Sequence, residues 1–138
     1  MRERVVAVSG GFDPLHVGHV RMIQAAAKLG TRLVVMVNGD DFLVRKKGYA
    51  FMPLAERMEI LRALRGVDEV VAVVDRDQTV CETLRLVKPD VFANGGDRRD
   101  VADIPEAAVC RELGIEMAFH VGGGKVQSSS ELVHRSKA

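Results

Sequence analysis

The run Val5-Val6-Ala7-Val8, followed at once by Ser9-Gly10-Gly11 and then by a helix-patterned segment from Val17 to Leu29, constrains the fold more than any other stretch. Four short, β-branched or small apolar residues stopped by glycines make a buried strand. Val17, Val20, Met22, Ile23, Ala26, Ala27 and Leu29 recur at helical spacing, and Gly30 supplies a C-terminal cap. A strand that enters a glycine turn and leaves it as a helix aims unpaired backbone N–H groups at one point, which suits an anion. His16 and His19 are three apart at the helix start, so both can reach the same phosphate chain.

The remaining chain extends this pattern. Thr31–Asn38 is a second strand of the near-continuous apolar kind that parallel sheets bury on both faces. Glu69–Val74, Val91–Asn94 and Ile115–Val121 read as three more strands. Helical patterns fill the gaps: a helix opened by Pro53 with Leu54, Met58, Leu61 and Leu64 as its buried stripe, then Thr79–Leu86 and Pro105–Leu113. Strands alternating with helices across short turns predict an α/β fold. It is a Rossmann-like, doubly wound, parallel five-stranded sheet with helices on both faces, in a single domain over residues 1–138. Asn38-Gly39-Asp40-Asp41, Gly95-Gly96-Asp97 and Gly122-Gly123-Gly124 each follow a strand, so they converge on the carboxyl edge where open parallel sheets bind ligands.

Charge and composition narrow the partners. Twenty Lys and Arg against nineteen Asp and Glu give a net charge of +1, which leaves no basic stripe for nucleic acid. No apolar run approaches the roughly 20 residues of a membrane span. Met1-Arg2-Glu3-Arg4 leads straight into a strand without a signal peptide, so a soluble cytoplasmic protein is expected. Cys81 and Cys110 match no metal or redox spacing and are expected as buried thiols. Arg45-Lys46-Lys47 is the one concentrated basic patch, readable either as solvated loop charges or as a phosphate clamp. Ser128-Ser129-Ser130-Glu131 offers N-cap residues at capping-box spacing in front of a last helix. His16, His19 and Asp13 could form part of a zinc site, but a structural zinc wants four ligands and only three stand nearby, so no metal-ligating residue is assigned.

Gly-Gly-Phe-Asp-Pro-Leu-His-Val-Gly-His at residues 10–19 resembles the Gly-x-Phe-Asp-x-x-His-x-Gly-His signature of the nucleotidyltransferase superfamily with cytidylyltransferase-like domains. Ser128-Ser129-Ser130 resembles its second signature, and the likeness runs from Val5 to about Val133. The resemblance implies transfer of a nucleoside monophosphate from a triphosphate to a small phosphorylated acceptor, with release of pyrophosphate and with Mg2+ as the cofactor. It implies His16, His19 and Lys47 as catalytic residues. Gly10, Gly11, Phe12, Asp13, Gly18, Arg65, Asp97, Ser128, Ser129 and Ser130 would bind the nucleotide, and Asp40 and Lys46 the acceptor. Family members are commonly dimers, so a homodimer is expected.

Two departures from the family pattern stand out: Gly11 replaces a frequent Thr, and Lys125 stands near the place of an arginine before the serine signature. Substrate signals divide. Arg65-Gly66-Val67-Asp68-Glu69-Val70 resembles glycerol-3-phosphate and choline-phosphate cytidylyltransferases, and Arg65 favours CTP by a small margin. Asn94-Gly95-Gly96-Asp97 and Pro53-Leu54-x-x-Arg57-Met58 resemble the adenylyltransferase domain of ADP-heptose synthase. A polyol or sugar phosphate is the expected acceptor, and a nucleotide-binding or sensor domain without turnover is the alternative.

Overall fold

A computed structural model describes residues 2–96, 104–123 and 128–136. Among these, five strands and six helices alternate: β1 (Val5–Gly10), α1 (Val17–Ala27), β2 (Arg32–Val37), α2 (Asp40–Lys47), α3 (Leu54–Arg62), β3 (Glu69–Ala72), α4 (Cys81–Val87), β4 (Val91–Ala93), α5 (Pro105–Leu113), β5 (Glu116–Ala118) and α6 (Ser129–Ser136). All strand pairings are parallel, in the order β3-β2-β1-β4-β5. The fold is therefore the expected Rossmann-like α/β sheet, wound outward in both directions from β1.

Alternation along the strands sorts the core into two layers. Val6, Val8, Leu33, Val35, Val37 and Val70 point to one face, where Ile23 and Ala26 of α1 and Leu61 of α3 cover them. Ala7, Met36 and Phe92 point to the other, under Leu84 of α4 and Val109 and Cys110 of α5. Burial lifts the Cys110 thiol to about 11 and raises that of Cys81 as well, so neither is a thiolate at neutral pH.

Chain order places the functional edge. After β1 the sheet grows towards β2 and β3, and then returns to β4 on the opposite side. The glycine turn that follows β1 thus sits at the switch point, where the connections leave on opposite faces and open a crevice.

Several boundaries differ from the sequence reading, and one element is new. The strand expected over Ile115–Val121 pairs only over Glu116–Ala118, and that over Glu69–Val74 stops at Ala72. Asp40–Lys47 is a helix where a turn and a basic loop were expected. Only Leu43 of it is buried, so it carries no apolar stripe for periodicity to detect. Its charges do mark it: Asp40 and Asp41 lie in the first turn, Arg45, Lys46 and Lys47 in the last, matching the helix dipole. Gly48 closes it at φ 87°, a left-handed conformation that a Cβ would strain.

Candidate active site

The glycine turn is built tightly enough to explain its composition. Phe12 takes φ 53°, unusual for a side-chain-bearing residue, and its ring is buried beneath the turn. A Cβ at Gly10 would lie 3.2 Å from that ring, and one at Gly11 would lie 2.7 Å from Cδ2 of Leu43. The departure at Gly11 therefore goes with α2: Leu43 occupies the space that a threonine side chain would need.

Asp13 is the turn's anchor. It is 1% exposed, and its two carboxylate oxygens accept from the backbone N–H groups of Phe51 at 2.5 Å and Met52 at 2.6 Å. Lys47, at the end of α2, donates from Nζ to the Asp13 carbonyl at 2.7 Å and lies 3.7 Å from its carboxylate. One residue thereby ties the turn to α2 and to the loop that enters α3. A peptide in the cis form joins Asp13 to Pro14.

His16 and His19 begin α1 as a capping box made of two imidazoles. Nδ1 of His16 accepts from the Gly18 N–H at 3.0 Å, and Nδ1 of His19 accepts from the His16 N–H at 3.2 Å. The rings stack with centroids 3.8 Å apart, and the His19 ring meets Phe12 edge-on at 5.0 Å. A nitrogen that accepts from a backbone N–H carries no proton, so each neutral ring holds its proton on Nε2, on the opposite edge. The cap thus fixes the tautomer of the neutral rings, with the proton of each on Nε2.

Burial, with His16 and Lys47 nearby as further causes, lowers His19 from 6.5 to about 4. Between those values the unfolded chain takes up a proton that the folded one refuses, so stability falls as pH drops through this window. Thermal unfolding from pH 7 to pH 4.5 should show a falling midpoint, less steep in His19→Gln than in the native protein. Equal slopes in the two proteins would contradict the assignment.

The second signature meets the first in space. Ser129, the first residue of α6, donates from Oγ to the Pro14 carbonyl at 2.8 Å, across 115 positions of sequence. Ser128 Oγ accepts from the Glu131 N–H at 3.4 Å, the N-cap bond its position predicts. A cavity of about 490 Å³ lies here, lined by Lys47, Tyr49, Ser128, Ser130 and His134 among others. Tyr49 also stacks under the Lys47 ammonium at 4.8 Å. Tyr49 and His134 were not singled out in the sequence; the spacing His134 keeps from Ser130, one helical turn, was the available signal.

A larger cavity of about 750 Å³ lies at the carboxyl ends of β2 and β3. Gly39, Asp40, Asp41, Arg45, Asp75 and Arg76 contribute to its wall.

Other expected site residues are placed differently. Arg65 follows α3 at the amino edge of the sheet, before β3; its carbonyl accepts from Gln24 near the end of α1. It is therefore remote from the glycine turn, and the feature that favoured CTP is lost. Asp40 gives one carboxylate oxygen to the guanidinium of Arg57 at 2.6 Å. Lys46 sits on the exposed side of α2 with Nζ 5.6 Å from the Phe42 ring centroid, so only Lys47 of the basic pair reaches the turn. Asp97 and Lys125 lie outside the described residues.

Residues 7–119 match the model of a family described as cytidylyltransferase-like. The bifunctional protein HldE of Streptomyces coelicolor is 49% identical over 112 residues, covering 80% of this chain and 24% of that protein. The FAD synthase of Pyrococcus abyssi is 40% identical over 94 residues, covering 67% of this chain and 63% of that one. The chain spans about a quarter of the length of the bifunctional relatives it matches. Among solved structures, a lipopolysaccharide core biosynthesis protein from Thermoplasma volcanium aligns with TM-score 0.68 at 25% identity, covering 86% of this chain and 94% of that one. Pantothenate synthetase from Thermus thermophilus shares the fold, with TM-score 0.64 at 19% identity over 100% of this chain and 66% of that one.

Proposed function

This chain belongs to the cytidylyltransferase-like family, and from that premise we propose that it transfers an adenylyl group from ATP to a small phosphorylated acceptor, releasing pyrophosphate. The observation that carries the reading is the bond from Ser129 to Pro14, which brings the serine signature and the histidine turn to one place beside Lys47. ATP replaces CTP in this reading for two reasons. Arg65 stands at the wrong edge of the sheet, and the relatives include a synthase whose named product, FAD, contains adenine.

The proposed chemistry needs no protein nucleophile. A phosphate oxygen of the acceptor attacks the α-phosphorus, and the bond to the bridging oxygen breaks as pyrophosphate leaves. Charge builds on that oxygen and on the phosphoryl group in flight. The Nε2–H donors of His16 and His19, already fixed in tautomer, are matched to this charge and need no reorganisation to meet it. Lys47 contributes a positive charge held in place by Asp13, and the first turn of α6 offers N–H groups to the distal phosphates. The larger cavity, with carboxylates for hydroxyls and Arg45 and Arg76 for a phosphate, is the proposed acceptor side, which suits a sugar or polyol phosphate.

The described residues do not by themselves fit Mg2+. Both carboxylate oxygens of Asp13 are spent on backbone N–H groups, and no cluster of three acidic, His or Cys side chains occurs among the described residues. A magnesium ion here would be held by the oxygens of the triphosphate itself.

The reading is tested by pyrophosphate release with ATP and CTP against a panel of sugar and polyol phosphates. ATP should support release and should raise the thermal midpoint more than CTP does, because linked stabilisation follows affinity. Release with CTP alone would overturn the base assignment. Binding of ATP with no release under any pairing would favour a nucleotide sensor instead.

A further inference from the structure

Arg57 has no place in either signature, yet it is the largest fully buried side chain among the described residues, 1% exposed as a residue. It projects from the first turn of α3 back towards the carboxyl edge, where its guanidinium makes four hydrogen bonds. Nε donates to the Met52 carbonyl at 2.9 Å, and Nη1 donates to the carbonyls of Gly11 at 2.8 Å and Asn38 at 2.7 Å. Nη2 donates to the Asp40 carboxylate at 2.6 Å. These four bonds use four of the five N–H donors a guanidinium carries.

Stability alone is a poor account of this arrangement. A buried cation costs several kcal/mol in lost hydration, and apolar residues often replace buried ion pairs without loss. Among the described residues the only carboxylate paired with Arg57 is that of Asp40, whose side chain is 46% exposed, so most of the compensation comes from neutral carbonyls. What the arrangement uniquely supplies is geometry. A flat, rigid fork fixes the directions of its acceptors in a way that an ammonium or an apolar side chain does not.

The four acceptors belong to three pieces of the site. Gly11 is in the turn that presents Phe12, Asp13 and the two imidazoles. Asn38 follows β2, and Asp40, two residues on, starts α2 and walls the larger cavity. Met52 lies in the loop whose N–H groups Asp13 holds from the other side, so two buried residues of opposite charge grip residues 51 and 52 together.

We propose that Arg57 is the positioning residue that sets the nucleotide turn and the acceptor cavity in register. This rests on the nucleotidyl-transfer reading above. It touches neither substrate. Its contribution is the relative placement of the acceptor phosphate and the α-phosphorus, where displacement by about 1 Å can cost 10²-fold in rate.

Arg57→Lys keeps the charge and loses the fork. It should fold and bind ATP, without acceptor, within about threefold of the native affinity, while kcat falls about 10²-fold. In Arg57→Ala, millimolar guanidinium should restore part of kcat and methylammonium should not, a selectivity that a general loss of stability would not give. A native kcat in Arg57→Lys, or equal rescue by the two cations, would overturn the proposal. If both Arg57 variants fail to fold, Asp40→Ala removes a single bond of the four and should lower kcat with ATP affinity intact; an unchanged kcat there would overturn it as well. Amide hydrogen exchange separates this proposal from the reading it rests on. Should the native protein show no turnover, transfer itself fails. Faster exchange at Phe12–Asp13 and Asp40–Leu43 in Arg57→Lys, with α5 unchanged, would still uphold the positioning role, and unchanged exchange would refute it.

Discussion

His19→Ala is expected to lower turnover by about 10²-fold or more while the protein remains folded. The ring does three things at once. It offers Nε2–H to the developing charge, accepts the His16 N–H at Nδ1, and packs between His16 and Phe12. Losing the cap bond costs about 1 kcal/mol, the usual scale for an N-terminal cap, which a folded domain tolerates. Losing a preorganised donor at the breaking bond acts on the barrier directly, so the defect should fall on kcat rather than on ATP binding. Pyrophosphate release under saturating substrates measures this. Native turnover in His19→Ala would remove the imidazole from the mechanism. Because burial keeps His19 neutral down to about pH 4, the native rate should also lack a step from its protonation between pH 8 and pH 5.

Asp13→Asn is expected to destabilise the fold by about 2–4 kcal/mol, a large share of a typical domain's stability. The change is nearly isosteric, so packing is preserved and the effect is electrostatic. One of the two oxygens that accept from Phe51 and Met52 becomes an NH2 group that meets another donor. Lys47 at the same time loses the carboxylate beside it. Urea denaturation should show the midpoint falling with an unchanged slope, since the folded state keeps its surface. A loss below about 0.5 kcal/mol would mean that water replaces the missing acceptor, as at an ordinary surface position.

These two residues also show where sequence reading succeeds and where it stops. The histidines are legible because three-residue spacing at a helix start places both rings on one side whatever the rest of the chain does. Asp13 is legible as part of a motif, but its role as a carboxylate caught by two N–H groups is not, because Phe51 and Met52 lie 38 and 39 positions away. Lys47 is similar: a charge in a basic run could have faced solvent, as Lys46 does. Arg57 was read only as a letter in a family-like segment, beside the apolar stripe of its helix. Nothing in local pattern marks an arginine that the fold will enclose completely. Arg65 failed in the opposite direction, since closeness in sequence to a helix end said nothing about which edge of the sheet that end would reach.

The sequence by itself determined the strand and helix alternation, the parallel sheet, and the glycine turn with its paired imidazoles. Each depends on periodicity or on contacts between residues only a few positions apart. The tertiary structure alone decided that Ser129 closes on Pro14, that Lys47 and Asp13 share one turn, and that Arg57 joins four oxygens from three separate segments. Those partners are brought together by the winding of the sheet, and hydrogen bonds of 2.6–2.9 Å depend on ångström-scale placement that no spacing along the chain encodes.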